Sequence, residues 1–366
     1  MMLKRHKPVV LLVVLLCMGL FSTVGRTNRQ GAEEFSQAQE QWTVCPEGPP
    51  QCPFVRIQEA IDAAPEGSLI RIGPGSYQEN LQIEKTLSLS GAGPDRVVIT
   101  PVPASPDQSH VALRWGKTPT LIVIEGLSVV SAAPEGRPSY GISMGALAAI
   151  LKNVKISGYP VGIQSGASEL YIKGITIERN RIGLWQVAGH ATVVDSTVLD
   201  NETGIEGNSL LVSRSNISRN QVGIHVVFSP KAVSHGLPDP LWEGIIQHQV
   251  AILANQISEN EIGILIGQAI PLDSYYPEGV VAVPDLLRIE ENRILNNQKY
   301  GVSLEGWQCL CTDERPDEDR LSCLILHGSI PSKIILTTTE PNNEIHGNGK
   351  SDLCPPDYPW PPGFRK

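Results

Sequence analysis

One short pattern recurs through the second half of this chain: an asparagine, two further residues, a glycine and an aliphatic residue. It is found at Asn180-Arg-Ile-Gly183-Leu184, Asn201-Glu-Thr-Gly204-Ile205, Asn220-Gln-Val-Gly223-Ile224 and Asn260-Glu-Ile-Gly263-Ile264. The glycines of this frame, at positions 141, 162, 183, 204, 223, 263 and 301, are separated by 21, 21, 21, 19, 40 and 38 residues. A period of about 20 residues is typical of a solenoid, whose repeats bury their apolar side only by stacking on one another.

Each repeat has the composition of short strands rather than helices. Two β-prone runs with alternating apolar and polar positions lie in one unit, at 174–177 and 183–187. A unit of about 21 residues is too short for two packed helices, but it accommodates three short strands and their corners. Stacked coils of this kind place equivalent residues about 4.8 Å apart. The repeat therefore predicts a parallel β-helix.

In such a coil the repeated side chains form columns. The aliphatic residues after the glycines are expected to form one internal stack: Ile163, Leu184, Ile205, Ile224, Ile264 and Val302. The asparagines are expected to form a ladder at one corner, each amide bonding the next: Asn180, Asn201, Asn220 and Asn260. An unpaired buried amide costs about 1–3 kcal/mol, so the repetition satisfies these groups and gives them a structural role. The glycines suit a corner that needs positive φ or close backbone approach.

This repeat resembles that of a known group of proteins. The pattern Asn-x-Ile-x-x-Asn-x-x-Gly-Ile, as in residues 255–264, is similar to the parallel β-helix repeat. That repeat occurs in pectin-lyase-like folds, in the CASH group (carbohydrate-binding proteins and sugar hydrolases) and in NosD-type periplasmic proteins. The stretches 57–64 and 70–80 resemble the usual opening of these proteins. The resemblance covers roughly residues 43–350 and implies the fold, whereas the shared motifs are structural and imply no particular activity.

The chain begins like an exported protein. Three basic residues, Lys4, Arg5 and Lys7, precede an apolar run, which predicts a signal peptide over 1–25 with a retained anchor as the alternative. A polar tether, a single β-helix domain and a proline-rich tail are expected to follow, over 26–42, 43–354 and 355–366. An amphipathic helix at about 55–64 is expected to cap the first coil, because an uncovered end would expose strand edges. We expect a secreted or periplasmic protein with no membrane contact beyond the signal segment.

Six cysteines follow the signal segment: Cys45, Cys52, Cys309, Cys311, Cys323 and Cys354. An even number outside the cytoplasm favours disulfides, and a metal site remains the alternative because Cys-x-Cys can bind metals. Cys45 and Cys52 flank a loop before the predicted helix, so they are expected to pair with each other. The others are expected to pair among themselves, Cys309 and Cys311 with Cys323 and Cys354.

The charge of the chain narrows the choice of partner. Loss of the signal segment changes the net charge from −9 to −12, because it removes three of 29 basic residues and none of 38 acidic ones. An acidic surface disfavours nucleic acid, anionic membranes and, without a bridging cation, strongly anionic polysaccharides. We therefore predict no nucleic-acid partner. The sequence also indicates no metal site and no definite cofactor, with Ca²⁺ as the alternative for an acidic glycan. A monomer is expected.

The residue after each internal aliphatic is expected to point outward. This outward column consists of Ser143, Gln164, Trp185, Glu206, His225, Leu265 and Ser303. Trp185, Glu206 and His225 fall on neighbouring coils. An exposed tryptophan offers a flat apolar surface to a sugar ring, and Glu and His supply hydrogen bonds or acid–base chemistry. The alternative is an ordinary polar face with a covered tryptophan.

The longer spacings mark three insertions, at about 229–244, 268–284 and 306–322. All three follow the same strand of their coil, so they should project from one edge, which often marks the binding face of a solenoid. They add further candidate binding residues: Trp242, Tyr275, Tyr276, Glu305 and Trp307. Aromatic side chains with carboxylates suit a neutral glycan or a calcium-bridged acidic one.

The segments that carry catalysis in three groups of the resembling enzymes are absent, whereas a lyase that uses calcium and a single basic residue has too weak a signature to be excluded in this way. The sequence contains no Gln-Asp-Thr-Leu or Gly-Arg-Pro-Trp of pectinesterases, no Gly-His-Gly of polygalacturonases and no Asp-Pro-His of alginate epimerases. Met- or His-rich runs, which would favour copper delivery as in NosD-type proteins, are also absent.

We therefore predict an exported all-β protein, a right-handed parallel β-helix with an N-terminal capping helix, that binds a carbohydrate or a cell-surface polymer without turnover. A second hypothesis is a polysaccharide lyase or glycoside hydrolase in which Glu206 or His225 is catalytic. A purely structural surface solenoid is a third hypothesis, and a NosD-like periplasmic metal-maturation protein is a fourth.

Overall fold

The computed structural model describes residues 42–102, 109–113, 120–131, 139–145, 148–166, 168–187, 189–228, 249–268, 286–304, 343–354, 360 and 364. They form one helix, α1 (Ile57–Ala63), and 28 strands. The strands are β1 (Thr43–Val44), β2 (Leu69–Ile72), β3 (Gly75–Gln78), β4 (Leu81–Ile83), β5 (Leu87–Gly91), β6 (Val97–Thr100), β7 (Ser109–Leu113), β8 (Leu121–Val130), β9 (Tyr140–Met144), β10 (Ala148–Ser157), β11 (Val161–Ser165), β12 (Ser168–Lys173), β13 (Thr176–Glu178), β14 (Ile182–Gln186), β15 (Gly189–Val194), β16 (Thr197–Leu199), β17 (Thr203–Gly207), β18 (Leu210–Ser213), β19 (Asn216–Ser218), β20 (Val222–Phe228), β21 (Gln249–Leu253), β22 (Gln256–Ser258), β23 (Ile262–Gln268), β24 (Leu286–Glu290), β25 (Arg293–Leu295), β26 (Tyr300–Leu304), β27 (Glu344–His346) and β28 (Ser351–Cys354).

Three strands make one coil in the regular part of the chain. β11, β12 and β13 follow one another, and β14 then pairs with β11 in parallel, one coil further along. In the same way β12 pairs with β15 and β13 with β16, again in parallel. The prediction of a parallel β-helix with a capping helix is confirmed.

The strands belong to two sheets of unequal size. The smaller sheet has ten strands, in the order β28-β26-β23-β20-β17-β14-β11-β9-β7-β4. The larger sheet has 18 strands and covers two sides of the coil, because the long strands β8 and β10 each pair with two shorter strands in succession. Every coil therefore contributes one strand to the smaller sheet and up to two to the larger one.

Aliphatic columns fill the interior of the coil. The stack expected from the sequence lies in register, since Ile163 pairs with Leu184 and Leu184 with Ile205. All its members are 0% exposed: Ile163, Leu184, Ile205, Ile224, Ile264 and Val302. Burial of one such side chain stabilises the fold by about 1.5–3 kcal/mol, so stacking of the coils is the main source of stability.

The asparagine side chains bond from one coil to the next. Three bonds from Nδ2 to Oδ1 join the four repeated residues: Asn180 to Asn201 (3.1 Å), Asn201 to Asn220 (2.9 Å) and Asn220 to Asn260 (3.0 Å). The same oxygens accept the backbone N–H groups of the preceding asparagines. The ladder continues through Asn297 and Asn348 and ends on the carboxylate of Asp352. Each buried amide is thus satisfied by its equivalent in the next coil.

A second ladder, which the repeated frame did not predict, occupies the neighbouring corner. It runs through Ser196, Ser215, Asn255, Asn292 and Asn343. Each of these residues lies five positions before a member of the first ladder. The fixed offset of five was the signal that could have revealed it.

The repeated glycines allow close approach of the coils. A Cβ atom on Gly183 would lie 2.4 Å from the carbonyl oxygen of Gly204, and one on Gly223 would lie 2.5 Å from that of Gly263. Of the two reasons expected for these glycines, close backbone approach is confirmed, whereas positive φ is not found at them. The left-handed conformation is found instead one residue before each asparagine, at Arg179, Asp200, Arg219, Glu259 and Asn296, with φ between 54° and 60°.

The N-terminal end of the coil is closed by α1, which buries Ile57, Ala60 and Ile61. The carboxylate of Glu79 accepts hydrogen bonds from the backbone N–H groups of Ile57 (2.8 Å) and Gln58 (3.0 Å). N–H groups in the first turn have no partner within a helix, and a negative charge there is favourable. Glu79 therefore fixes the capping helix to the first coils.

The described residues begin at Trp42, the last residue of the predicted tether. The Trp42 ring stacks on Phe54, with 5.9 Å between ring centroids. Cys45 and Cys52 form a disulfide, and Cys354 is also disulfide-bonded. Trp360 and Phe364, in the proline-rich tail, are buried against the core. The predicted signal segment and the rest of the tether, with Cys309, Cys311 and Cys323, lie outside the described residues.

His110 is fully buried between two polar groups. Its Nδ1 is bonded to the hydroxyl of Tyr159, and its Nε2 lies 2.8 Å from the backbone oxygen of Glu79. Burial lowers the pKa of His110 to about 4, although backbone bonds to Glu79 and Thr100 oppose this effect. The imidazole is therefore neutral in the folded protein at neutral pH.

Because His110 is buried in its neutral form, we predict that the folded protein loses stability in acid. We expect the contribution of His110 to the free energy of unfolding to be lost as the pH falls from about 6.5 to about 4, because the unfolded chain takes up the proton first. The loss amounts to about 3 kcal/mol at the acid end. Urea unfolding at a series of pH values measures it, with His110→Gln as the non-titrating control. Identical pH dependence in both proteins would contradict the assignment.

Candidate functional site

The predicted outward column lies in one line on the outer side of the smaller sheet. Gln164 pairs with Trp185, Trp185 with Glu206, and Glu206 with His225. All four side chains are half-buried. Adjacent strands lie about 4.8 Å apart, so a ligand longer than one coil contacts several of these side chains together. We call the surface formed by Gln164, Trp185, Glu206 and His225 the Trp185 face.

The polar side chains of the Trp185 face are hydrogen-bonded to side chains on neighbouring coils. The Nδ1 atom of His225 lies 3.2 Å from the Oε2 atom of Glu206. The Ser143 hydroxyl donates a 2.8 Å hydrogen bond to Oε1 of Gln164. Glu206 and His225 remain 22% and 13% exposed, so a ligand can reach them. The face thus presents oriented hydrogen-bonding groups at its surface.

An apolar row crosses the face at β14. Ile182 and Trp185 are half-buried, and Val187, just beyond the strand, is 45% exposed. The rows of Gln164 and Glu206 flank it on the neighbouring strands. An apolar strip between hydrogen-bonding groups can contact both the apolar and the polar parts of a ligand. Val187 was not among the predicted site residues because it lies outside the repeated frame.

Towards the C-terminal coils the outer side of the same sheet is buried. Leu265 and Ser303 are 7% and 0% exposed, and Cys354, the next residue in register, is 3% exposed. Ile262 and Tyr300 pack with Leu265 in a small apolar cluster separate from the main core. The accessible part of the outward column therefore ends at His225.

The remaining binding candidates fall outside the described residues: Trp242, Tyr275, Tyr276, Glu305 and Trp307. Most of each predicted insertion does so as well. The binding roles of these residues and the common edge of the insertions stay predictions. Within the described residues, no group of three or more His, Cys, Asp or Glu side chains is placed to hold a metal ion. No helix of that part is long and apolar enough to cross a membrane.

Two shallow grooves, which the sequence pattern did not predict, run along the corner that holds the first asparagine ladder. Their volumes are about 690 and 470 Å³, and they share Arg219 and Gln221. Much of the charge along them is paired within the protein: Arg219 with Asp200 (2.8 Å) and Lys299 with Glu261 (2.6 Å). These grooves therefore offer fewer free groups to a ligand than their charge suggests.

Comparison with known proteins rests on the fold. No protein-family model matches the chain, and no curated protein matches it. The structure nevertheless consists of stacked parallel coils with a capping helix. The chain is a parallel β-helix protein. The resemblance of its repeat to that of other β-helix proteins is thus confirmed at the level of the fold.

Several solved structures resemble this β-helix protein. They include the A-module of mannuronan C-5 epimerase AlgE4 from Azotobacter vinelandii, with 17% identity, a TM-score of 0.43, and coverage of 81% of this chain and 68% of that one. Pectin methylesterase PemA from Erwinia chrysanthemi has 15% identity and a TM-score of 0.43, covering 61% and 80%. Pectate lyase Pel9A has 15% identity and a TM-score of 0.40, covering 69% and 63%. Likeness at this level says nothing about the activity of this chain.

Proposed function

We propose that this protein is an extracytoplasmic glycan-binding β-helix whose sugar site is the Trp185 face. The observation that carries the proposal is the register of Trp185 with Gln164 on one side and Glu206 on the other. A sugar ring has an apolar face and a rim of hydroxyl groups. The indole of Trp185 suits the apolar face of the ring. The amide of Gln164 and the carboxylate of Glu206 suit its hydroxyl groups.

The register also suits an extended chain of sugars rather than a single ring. Equivalent side chains follow one another from Ser143 to His225 along the axis of the coil. A polymer laid along this line would contact a new side chain at every coil. Glu206 and His225 are assigned here to hydrogen bonding of the glycan, with no turnover.

Support for an extracytoplasmic location comes from two features of the chain. The disulfide between Cys45 and Cys52 is of the kind that persists in oxidising compartments. The basic and apolar N-terminal stretch has the composition of an export signal. Extracellular polymers are the glycans that such a protein meets.

Trp185→Ala is expected to weaken glycan binding by about 2 kcal/mol, or about 30-fold in Kd, because the central aromatic contact is lost. A glycan array with and without Ca²⁺ identifies the ligand, and titration calorimetry measures the Kd. Tyr171→Ala is the matched control, since Tyr171 is an aromatic residue 37% exposed on the larger sheet. An array without any bound glycan, or equal Kd values for both variants, would refute the proposal.

A further inference from the structure

A serine and a histidine are hydrogen-bonded at the corner next to the Trp185 face. The Oγ atom of Ser209 lies 3.0 Å from Nδ1 of His190. β15 pairs with β18 from Ala191 and Leu210 onward, so His190 and Ser209 are the residues just before the paired stretch, and the register of β12 with β15 places Glu169 opposite His190. The side chains of Glu169, His190 and Ser209, all of types that can take part in catalysis, therefore lie on successive coils. None of them belongs to the repeated frame or to an asparagine ladder.

The histidine of this pair is suited to accept a proton. Burial lowers the pKa of His190, and the nearby carboxylate of Glu169 opposes this effect. The ring is therefore neutral at neutral pH, and Nδ1 can accept the hydrogen bond that the Ser209 hydroxyl donates. A neutral imidazole bonded to a serine hydroxyl is the arrangement that activates serine as a nucleophile.

The segment that carries the serine is fixed in position. The backbone N–H groups of Asn208 and Ser209 both donate to Oε1 of Gln186, at 2.9 and 3.0 Å. Ser209 is 5% exposed and Asn208 is 6% exposed. The Asn208 carboxamide makes no hydrogen bond within the described residues, so its N–H groups stay available beside the serine. An amide donor next to a nucleophile can stabilise an oxyanion.

We propose that Ser209 and His190 form a nucleophile–base pair that hydrolyses carboxylic esters, with Asn208 as the oxyanion donor. Ser209 Oγ attacks the ester carbonyl carbon while its proton passes to Nδ1 of His190. The carbon–oxygen bond to the alcohol then breaks, and the alcohol leaves with that proton. Water, deprotonated by Nδ1 of His190, then attacks the acyl carbon. The bond from that carbon to Ser209 Oγ breaks, the carboxylic acid leaves, and His190 returns the proton to Oγ.

The surroundings of the pair indicate the class of ester. Because Ser209 and Asn208 are almost buried, the acyl group must be small, as in an acetyl ester. Val187, which ends the apolar row of the Trp185 face, and Gly189, which starts β15, lie at the same corner. An O-acetylated sugar held on that face would bring its ester towards Ser209. This choice of alcohol rests on the proposed glycan binding, whereas the ester hydrolysis does not.

A fluorophosphonate probe tests the nucleophile on the full chain without any glycan. We expect covalent labelling that mass spectrometry places on Ser209, and hydrolysis of 4-nitrophenyl acetate by the same protein. Ser209→Ala is expected to abolish both, and His190→Gln to lower the hydrolysis rate by at least about 100-fold. Ser76→Ala is the control, because Ser76 is exposed and makes no side-chain hydrogen bond to a histidine in the described region.

The outcomes separate this proposal from glycan binding. Labelling of Ser209 in wild-type protein, which needs no variant to fold, together with an empty glycan array would support ester hydrolysis and refute glycan binding. Absence of labelling at Ser209, or equal hydrolysis by wild type and Ser209→Ala, would overturn the nucleophile whatever the array shows.

Discussion

Gly223→Ala is expected to lower the free energy of unfolding by about 3 kcal/mol, because the new methyl group meets backbone atoms that cannot turn away. Its Cβ would lie 2.5 Å from the carbonyl oxygen of Gly263 and 3.2 Å from Nδ2 of Asn260. Both neighbours are fixed by pairing of β20 with β23 and by the asparagine ladder. The coils can accommodate the methyl group only by separating locally. Urea unfolding followed by circular dichroism measures the loss.

The matched control is Gly174→Asp. No atom lies within 4 Å of a Cβ at Gly174, and its φ of +62° is left-handed. The residue in register with Gly174 one coil further on is Asp195, which adopts φ of +50°. Because aspartate tolerates this conformation, we expect a change below about 1 kcal/mol. If both substitutions had the same effect, close approach of the coils would not explain the glycine column.

Asn220→Ala is expected to have the largest effect, a loss of about 4 kcal/mol, because several buried partners lose their bonds at once. Its Oδ1 accepts the backbone N–H and the Nδ2 of Asn201, at 3.0 and 2.9 Å. Its Nδ2 donates to Val198, Ser218 and Asn260. Alanine leaves these groups buried without partners, at about 1–3 kcal/mol for each that water does not reach. Thermal and urea unfolding measure the change.

The adjacent Gln221 provides the comparison for Asn220. Its side chain is exposed at the same corner and forms no hydrogen bond among the described residues. Gln221→Ala is therefore expected to change stability by less than about 0.5 kcal/mol. A loss at Asn220 as small as that at Gln221 would show that the ladder contributes little to the fold.

The parts of the fold that the sequence predicted are those in which one residue type repeats at one position. Asn180, Asn201 and Asn220 recur with a glycine three residues later, so a single pattern revealed both columns. The second ladder was missed because serine and asparagine share it. The side-chain oxygens of Ser215 and Asn255 each accept a backbone N–H from the preceding coil, although the residue type differs.

The left-handed corner residues were missed for a related reason. This backbone conformation is imposed by the coils on either side, so arginine, aspartate and glutamate all occupy it, as at Arg179, Asp200 and Glu259. No residue type marks the position. Tertiary pairing here overrides the local preference for glycine or asparagine.

The candidate site was predictable only as far as it follows the repeat. The outward column, including Trp185 and Glu206, follows from strict alternation after the internal aliphatic residue. The pairing of His190 with Ser209 depends on register across a corner whose length varies between coils. A shift of one residue there would have separated the two side chains, so the sequence alone did not predict the contact.

The most direct test of glycan binding on the Trp185 face is a crystal structure of the protein soaked with the glycan that the array selects. We predict a sugar ring against the indole of Trp185, with its hydroxyl groups bonded to Gln164 and Glu206. Sugar bound on the larger sheet, or coils in which Trp185 and Glu206 are not neighbours, would contradict it.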